Sequence, residues 1–126
     1  MPSLDRIGYV NIFISDFDRA LTFYQETLGL TAVTRDETFG YAAFETEGIR
    51  FAFARSDDPA LTGRHTGIGW VVDDVEQAAA QLSAAGVEFE MPPTQQPWGG
   101  FMAMFKDPDG NVFYLDQAAA LSGGDA

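Results

Sequence analysis

Two stretches of this chain follow one plan. VNIFISDFDRALTFYQETLGL, beginning at Val10, is echoed 58 positions later by IGWVVDDVEQAAAQLSAAGV, beginning at Ile68. A repeat at this spacing constrains the fold strongly, because each copy must be the same supersecondary unit. In the first copy Val10, Ile12 and Ile14 alternate as on a half-buried strand, and Ile68, Trp70 and Val72 alternate at the matching positions of the second. Asp16 and Asp74 follow as N-cap candidates, since a short carboxylate accepts the free amide hydrogens of a first helical turn. Ala20, Tyr24 and Leu28 then line one helix face, and Val75, Ala78, Leu82 and Ala85 line the other. Gly29 and Gly86 stand where a helix commonly ends in a left-handed residue.

Three short strand-like runs follow each helix. The spacing predicts 31–34, 41–44 and 49–54 in the first half, and 87–90, 101–105 and 112–116 in the second. Asp107, Pro108, Asp109 and Gly110 suit the four positions of a type I turn, with proline fixing φ at the second. Each half therefore reads β-α-β-β-β, giving an α+β fold. The expected organisation is one domain of two modules, roughly residues 6–56 and 64–117, with 118–126 as a flexible tail. One helix covers only one face of its sheet. The opposite face is where a pocket is expected.

At 126 residues the chain is long enough to bury roughly two thirds of its unfolded surface. It contains no cysteine, which removes disulfides, thiolate metal sites and cysteine nucleophiles and fits a cytoplasmic location. The stretch MPSLDRIGYVNIF carries Asp5 and Arg6, and nowhere do eighteen apolar residues follow one another. Neither export nor membrane spanning is expected. Nineteen Asp and Glu oppose seven Lys and Arg, a net charge of −12, so nucleic acid would be repelled. Acids scattered along the chain serve solubility. They also favour cationic ligands, and eleven Phe, four Tyr and two Trp suit a flat cation through stacking and cation–π contact.

Two such modules, with FYQETLGL in the first and DPDGNVFYLDQ closing the second, resemble the vicinal oxygen chelate superfamily. That superfamily includes glyoxalase I, extradiol dioxygenases and bleomycin resistance proteins, and the resemblance runs from about Arg6 to Gln117. It implies a curved mixed sheet with a cleft, paired in a homodimer. Metal-dependent members take ligands from the first and last strands of each module. Seven residues before Asp16 and Asp74 stand Tyr9 and Gly67, while NVFYL and IRFAF place Tyr114 and Ala52 in the other two slots. Glycine and alanine offer no donor, and divalent sites want His and carboxylate ligands. A metal-free protein without a cofactor is therefore expected. His65, the single histidine, reads as a surface or loop residue two positions before its nearest slot.

If Val10, Ile12 and Ile14 face the helix, period-two alternation turns Tyr9, Asn11 and Phe13 the other way. Arg50 and Ala52 join them, as does Tyr114, while Gly67, Gly69 and Val71 leave room. The segment QQPWGGFMAMFKDPDGN is similar to the corresponding region of bleomycin resistance proteins. It adds Trp98 and Phe101 as ligand-binding candidates, and Phe39 occupies a loop that supplies an aromatic wall in the same proteins. Trp98 could equally pack on a dimer partner, and Phe39 could simply anchor its loop.

Asp36, Glu37, Glu45 and Glu47 fall in or near turns where carboxylates are normally solvated. No G-x-S-x-G elbow or phosphate loop is present. No catalytic residue is assigned. The expected function is sequestration of an aromatic, cationic natural product, an antibiotic-resistance role without chemistry. The alternatives are a metal-free isomerase or cyclase using Tyr9, Tyr114 or a carboxylate, and, less favoured, a metal-dependent glyoxalase or dioxygenase.

Overall fold

The computed structural model describes residues 2–118. Of the expected tail at 118–126, all but Ala118 lies outside the described residues. Two compact units are present, Met1–Thr62 and Gly63–Ala126.

The first unit runs β1 (Tyr9–Ile14), α1 (Phe17–Leu21) continued as a π-helical turn at Thr22–Thr27, β2 (Thr31–Asp36), β3 (Tyr41–Glu45) and β4 (Arg50–Arg55). The second runs β5 (His65–Val72), α2 (Val75–Ala84), β6 (Glu88–Gln95), β7 (Phe101–Lys106) and β8 (Val112–Gln117). The strand orders are β1-β4-β3-β2 and β5-β8-β7-β6, so the repeat in sequence is a repeat in topology. Both sheets are mixed: β1 pairs β4 and β5 pairs β8 in parallel, and the other ladders are antiparallel.

The caps form as their residue types predict. Asp16 accepts from the Arg19 amide at 3.0 Å, and Asp74 accepts from the Gln77 amide at 3.0 Å. Gly29 and Gly86 lie at φ 76° and 95°, ending the two helices with backbone conformations that L side chains rarely adopt. At the hairpin between β7 and β8 the Gly110 amide donates to the Asp107 carbonyl at 2.9 Å, closing the expected turn.

Two local features depart from simple periodicity. The α-helical spacing predicts Ala20, Tyr24 and Leu28 on one face. Instead the Leu28 amide reaches back five residues to the Phe23 carbonyl at 2.9 Å, and the widened turn buries Phe23 and Tyr24 side by side while Leu28 is only half-buried. The strand expected at 87–90 begins at Glu88 and continues to Gln95 through Pro92 and Pro93. β6 is the edge of its sheet, where a missing N–H leaves no ladder bond unmade, and the pairing shifts register there.

The core of each unit lies between its helix and one sheet face. Tyr24 is enclosed by Phe44, Phe51 and Phe53, with ring centroids 6.0, 5.4 and 5.8 Å away. Phe17 meets Phe53 edge-on at 5.8 Å. In the second unit Phe105 and Phe113 stack at 5.5 Å, and the Val75 amide donates to Gln117 Oε1 at 3.0 Å. On α2 the buried positions are Val75 and Ala79, while Ala85 at the helix end is exposed. These contacts place α1 and α2 on one face of their sheets and leave the other face of each free of helix.

Candidate ligand-binding faces

In the first unit the helix-free face is built by alternation on paired strands. Tyr9, Asn11 and Phe13 of β1 stand beside Arg50, Ala52 and Ala54 of β4, and Tyr41 of β3 is paired to Ala54. Gly8, Tyr9, Asn11, Phe13, Tyr41, Arg50 and Ala54 line a hollow of about 760 Å³. Four of the expected binding residues thus come together: Tyr9, Asn11, Phe13 and Arg50. Tyr41 is an addition, although its parity with Ala43 and Glu45 marks the same face. Two phenol rings, a phenyl ring and a guanidinium form a surface for stacking and hydrogen bonding.

The helix-free face of the second unit carries Tyr114, half-buried on β8. His65 packs against it with ring centroids 4.8 Å apart. The histidine opens β5, and Gly67 at φ 72° breaks the regular pairing between His65 and Gly69. The His65 Nδ1 accepts from the Gly67 amide at 3.1 Å. Alternation puts His65 on the face of Gly67, Gly69 and Val71, and the irregular pairing between His65 and Gly69 is what brings it against Tyr114.

Asp116, two residues after Tyr114, occupies the same face. A Cβ on Gly69 would sit 2.6 Å from the Asp116 Oδ2, so the carboxylate fills the notch that glycine leaves. In register it lies between Val71 and Met102, and burial pushes its carboxyl above the ordinary value of 3.8. A carboxyl whose pKa rises on folding binds more protons folded than unfolded, so its cost appears as pH climbs past the ordinary carboxylate range. Asp116→Asn should therefore melt at a slightly higher temperature than the parent at neutral pH. The difference should close on acidification towards the ordinary carboxyl value, as read by thermal unfolding across pH. A parent that melts higher at neutral pH would contradict it.

The remaining candidates lie elsewhere. Phe101 shares strand parity with Ala103 and Phe105, which are buried, and so turns to the helix side of β7, opposite Tyr114. Trp98 is 69% exposed in the turn after β6, its indole Nε1 lying over Gly100. Phe39 is 76% exposed in the turn before β3, where its amide donates to Asp36 Oδ1 at 3.1 Å.

A profile of the Glyoxalase/Bleomycin resistance protein/Dioxygenase superfamily matches residues 6–115. The chain belongs to this superfamily. Among curated relatives, YetH of Bacillus subtilis (strain 168) is 28% identical over 121 residues, covering 90% of this chain and 99% of YetH. A crystal structure of a superfamily member from Sphaerobacter thermophilus DSM 20745 superposes with a TM-score of 0.75 at 30% identity, covering 90% of this chain and 98% of that one. TnmS3, an antibiotic binding protein from Streptomyces sp. CB03234, superposes with a TM-score of 0.74 at 29% identity, covering 93% and 98%.

Among the described residues no three His, Asp or Glu side chains gather to hold a metal. No helix among the described residues is long and apolar enough to cross a membrane.

Proposed function

We propose that this superfamily member binds and sequesters an aromatic, cationic natural product without altering it, conferring resistance on the cell that holds it. The observation that carries this reading is the composition of the helix-free faces. Where metal-dependent relatives need donors, this chain presents Tyr9, Tyr114, Gly67 and Ala52, and the surrounding positions bring Phe13, Tyr41 and Arg50 into one hollow. Aromatic walls with few polar anchors favour binding over proton transfer. Likeness to TnmS3 supports the same class of ligand. A cytoplasmic homodimer is the working form, and the net charge of −12 attracts cations and repels nucleic acid.

Native mass spectrometry with a panel of cationic aromatic antibiotics tests the proposal. A stoichiometric complex that releases unchanged compound supports sequestration. Released compound of altered mass, formed in excess over protein, would favour a metal-free isomerase or cyclase. That second reading draws on the packing of His65 against Tyr114, which gives a phenol and an imidazole on one face.

Tyr114→Ala should weaken binding of a captured compound by about 1–3 kcal/mol, the scale of a lost aromatic stacking contact. Trp98→Ala should do the same if the indole swings from Gly100 onto the ligand. Calorimetric titration of both variants reads the effect, and unchanged affinity in both would remove these rings from the site.

A further inference from the structure

Asp116 is an acid in apolar company. Its neighbours across the sheet are Val71 and Met102, the first 58% and the second 7% exposed. Among the described residues no donor bonds to its carboxylate, and no cation of its own unit serves it. Lys106, the only lysine in the chain, is held by Glu90 at 3.1 Å and Glu88 at 3.6 Å. The Arg64 carbonyl accepts from the Val112 amide, four residues before Asp116 on β8 and roughly 13 Å away along the strand. A carboxylate taken partly out of water without a partner is costly. A positive charge arriving with a ligand would offset that cost.

We propose that Asp116, seated over Gly69, is the specificity-determining anchor for the ligand's positive charge, with the Tyr114 ring as the stacking surface beside it. This rests on the reading above that the face receives a flat aromatic molecule. Two residues along one strand place the carboxylate and the ring about 7 Å apart. That separation selects a fused aromatic cation with its charge in the ring system or directly on it, not at the end of a long flexible arm. Gly69 makes the seat: its φ lies outside the left-handed region, so its backbone tolerates alanine, while the carboxylate does not tolerate a methyl 2.6 Å away. The raised carboxyl pKa is consistent with a group that gains from a cation.

The experiment uses N-methylacridinium and acridine, matched in shape and differing in charge, titrated calorimetrically in buffer alkaline enough to keep acridine neutral. The parent should bind the cation about ten-fold more tightly than the neutral compound, equivalent to about 1.4 kcal/mol. Asp116→Asn should remove that preference while leaving acridine affinity unchanged, and Gly69→Ala should reduce it by displacing the carboxylate. Thermal unfolding of Asp116→Asn, expected at or above the parent value, separates lost binding from lost folding. A charge preference that persists in Asp116→Asn overturns the anchor and leaves the aromatic face standing. Failure of both compounds to bind the parent overturns the aromatic face itself, and the anchor with it.

Discussion

Replacing Phe53 by alanine should destabilise the protein by about 3–5 kcal/mol, the range for emptying a buried aromatic site. Phe53 is fully buried and central to the first unit. Its ring contacts Phe17 at 5.8 Å, Tyr24 at 5.8 Å and Phe44 at 5.7 Å, so truncation strips three aromatic neighbours of a partner at once. Because α1 and its π-helical turn are anchored by these rings, the cavity cannot collapse without moving the helix. Domains of this size are stable by only about 5–15 kcal/mol, so the variant should be marginal at 37 °C. Urea unfolding followed by circular dichroism measures the loss. Phe53→Leu, which keeps most of the volume, should cost about 1.5 kcal/mol. Equal, small effects for both would mean that the aromatic cluster is not tightly packed.

The second large effect lies in the hairpin that presents Tyr114 and Asp116. Asp107 is 5% exposed, and its carboxylate accepts from the Asp109 amide at 3.0 Å, the Asn111 amide at 2.8 Å and Asn111 Nδ2 at 2.9 Å. Asn111, also buried, accepts from the Arg64 amide at 3.1 Å through Oδ1 and so ties the hairpin to the start of β5. Asp107→Ala leaves buried donors without a charged acceptor, which costs about 3 kcal/mol. The melting temperature should fall by about 10 °C. Ligand affinity should fall with it, because β8 and β5 lose the tie that sets their register. Asp107→Asn keeps one acceptor oxygen and should fall between the two. A melting temperature within a degree of the parent for Asp107→Ala would contradict the role given to this network.

Much of this architecture is legible in the sequence because period-two alternation, acidic caps and terminal glycines are local signals. They place β1, β4 and β8, and with them Tyr9, Asn11, Phe13, Arg50 and Tyr114, on helix-free faces. What the sequence hides depends on partners distant along the chain. The π-helical turn is decided by how Phe23 and Tyr24 pack on the sheet. Continuation of β6 through Pro92 and Pro93 depends on its place at the edge. Phe101 begins β7, and its facing follows from registry with β8. The contact of His65 with Tyr114 follows from the irregular pairing of β5 with β8 between His65 and Gly69. Asp116 alternates with Tyr114 in plain view, but its meaning emerges only when Gly69 is seen to hold its carboxylate.

The identical strand order of the two units has a consequence for how such a protein can change. Equivalent positions carry unlike side chains: Ala52 and Ala54 of β4 correspond to Tyr114 and Asp116 of β8, and Asn11 and Phe13 of β1 to Gly69 and Val71 of β5. The faces have diverged over a shared scaffold, because side chains on the helix-free side of a strand can be exchanged without disturbing those packed beneath the helix. Under the binding role proposed above, substitutions on one helix-free face would retune recognition there and leave the other face unchanged. For a protein that meets a changing chemical environment, that is a route to broader recognition in which neither half must be rebuilt.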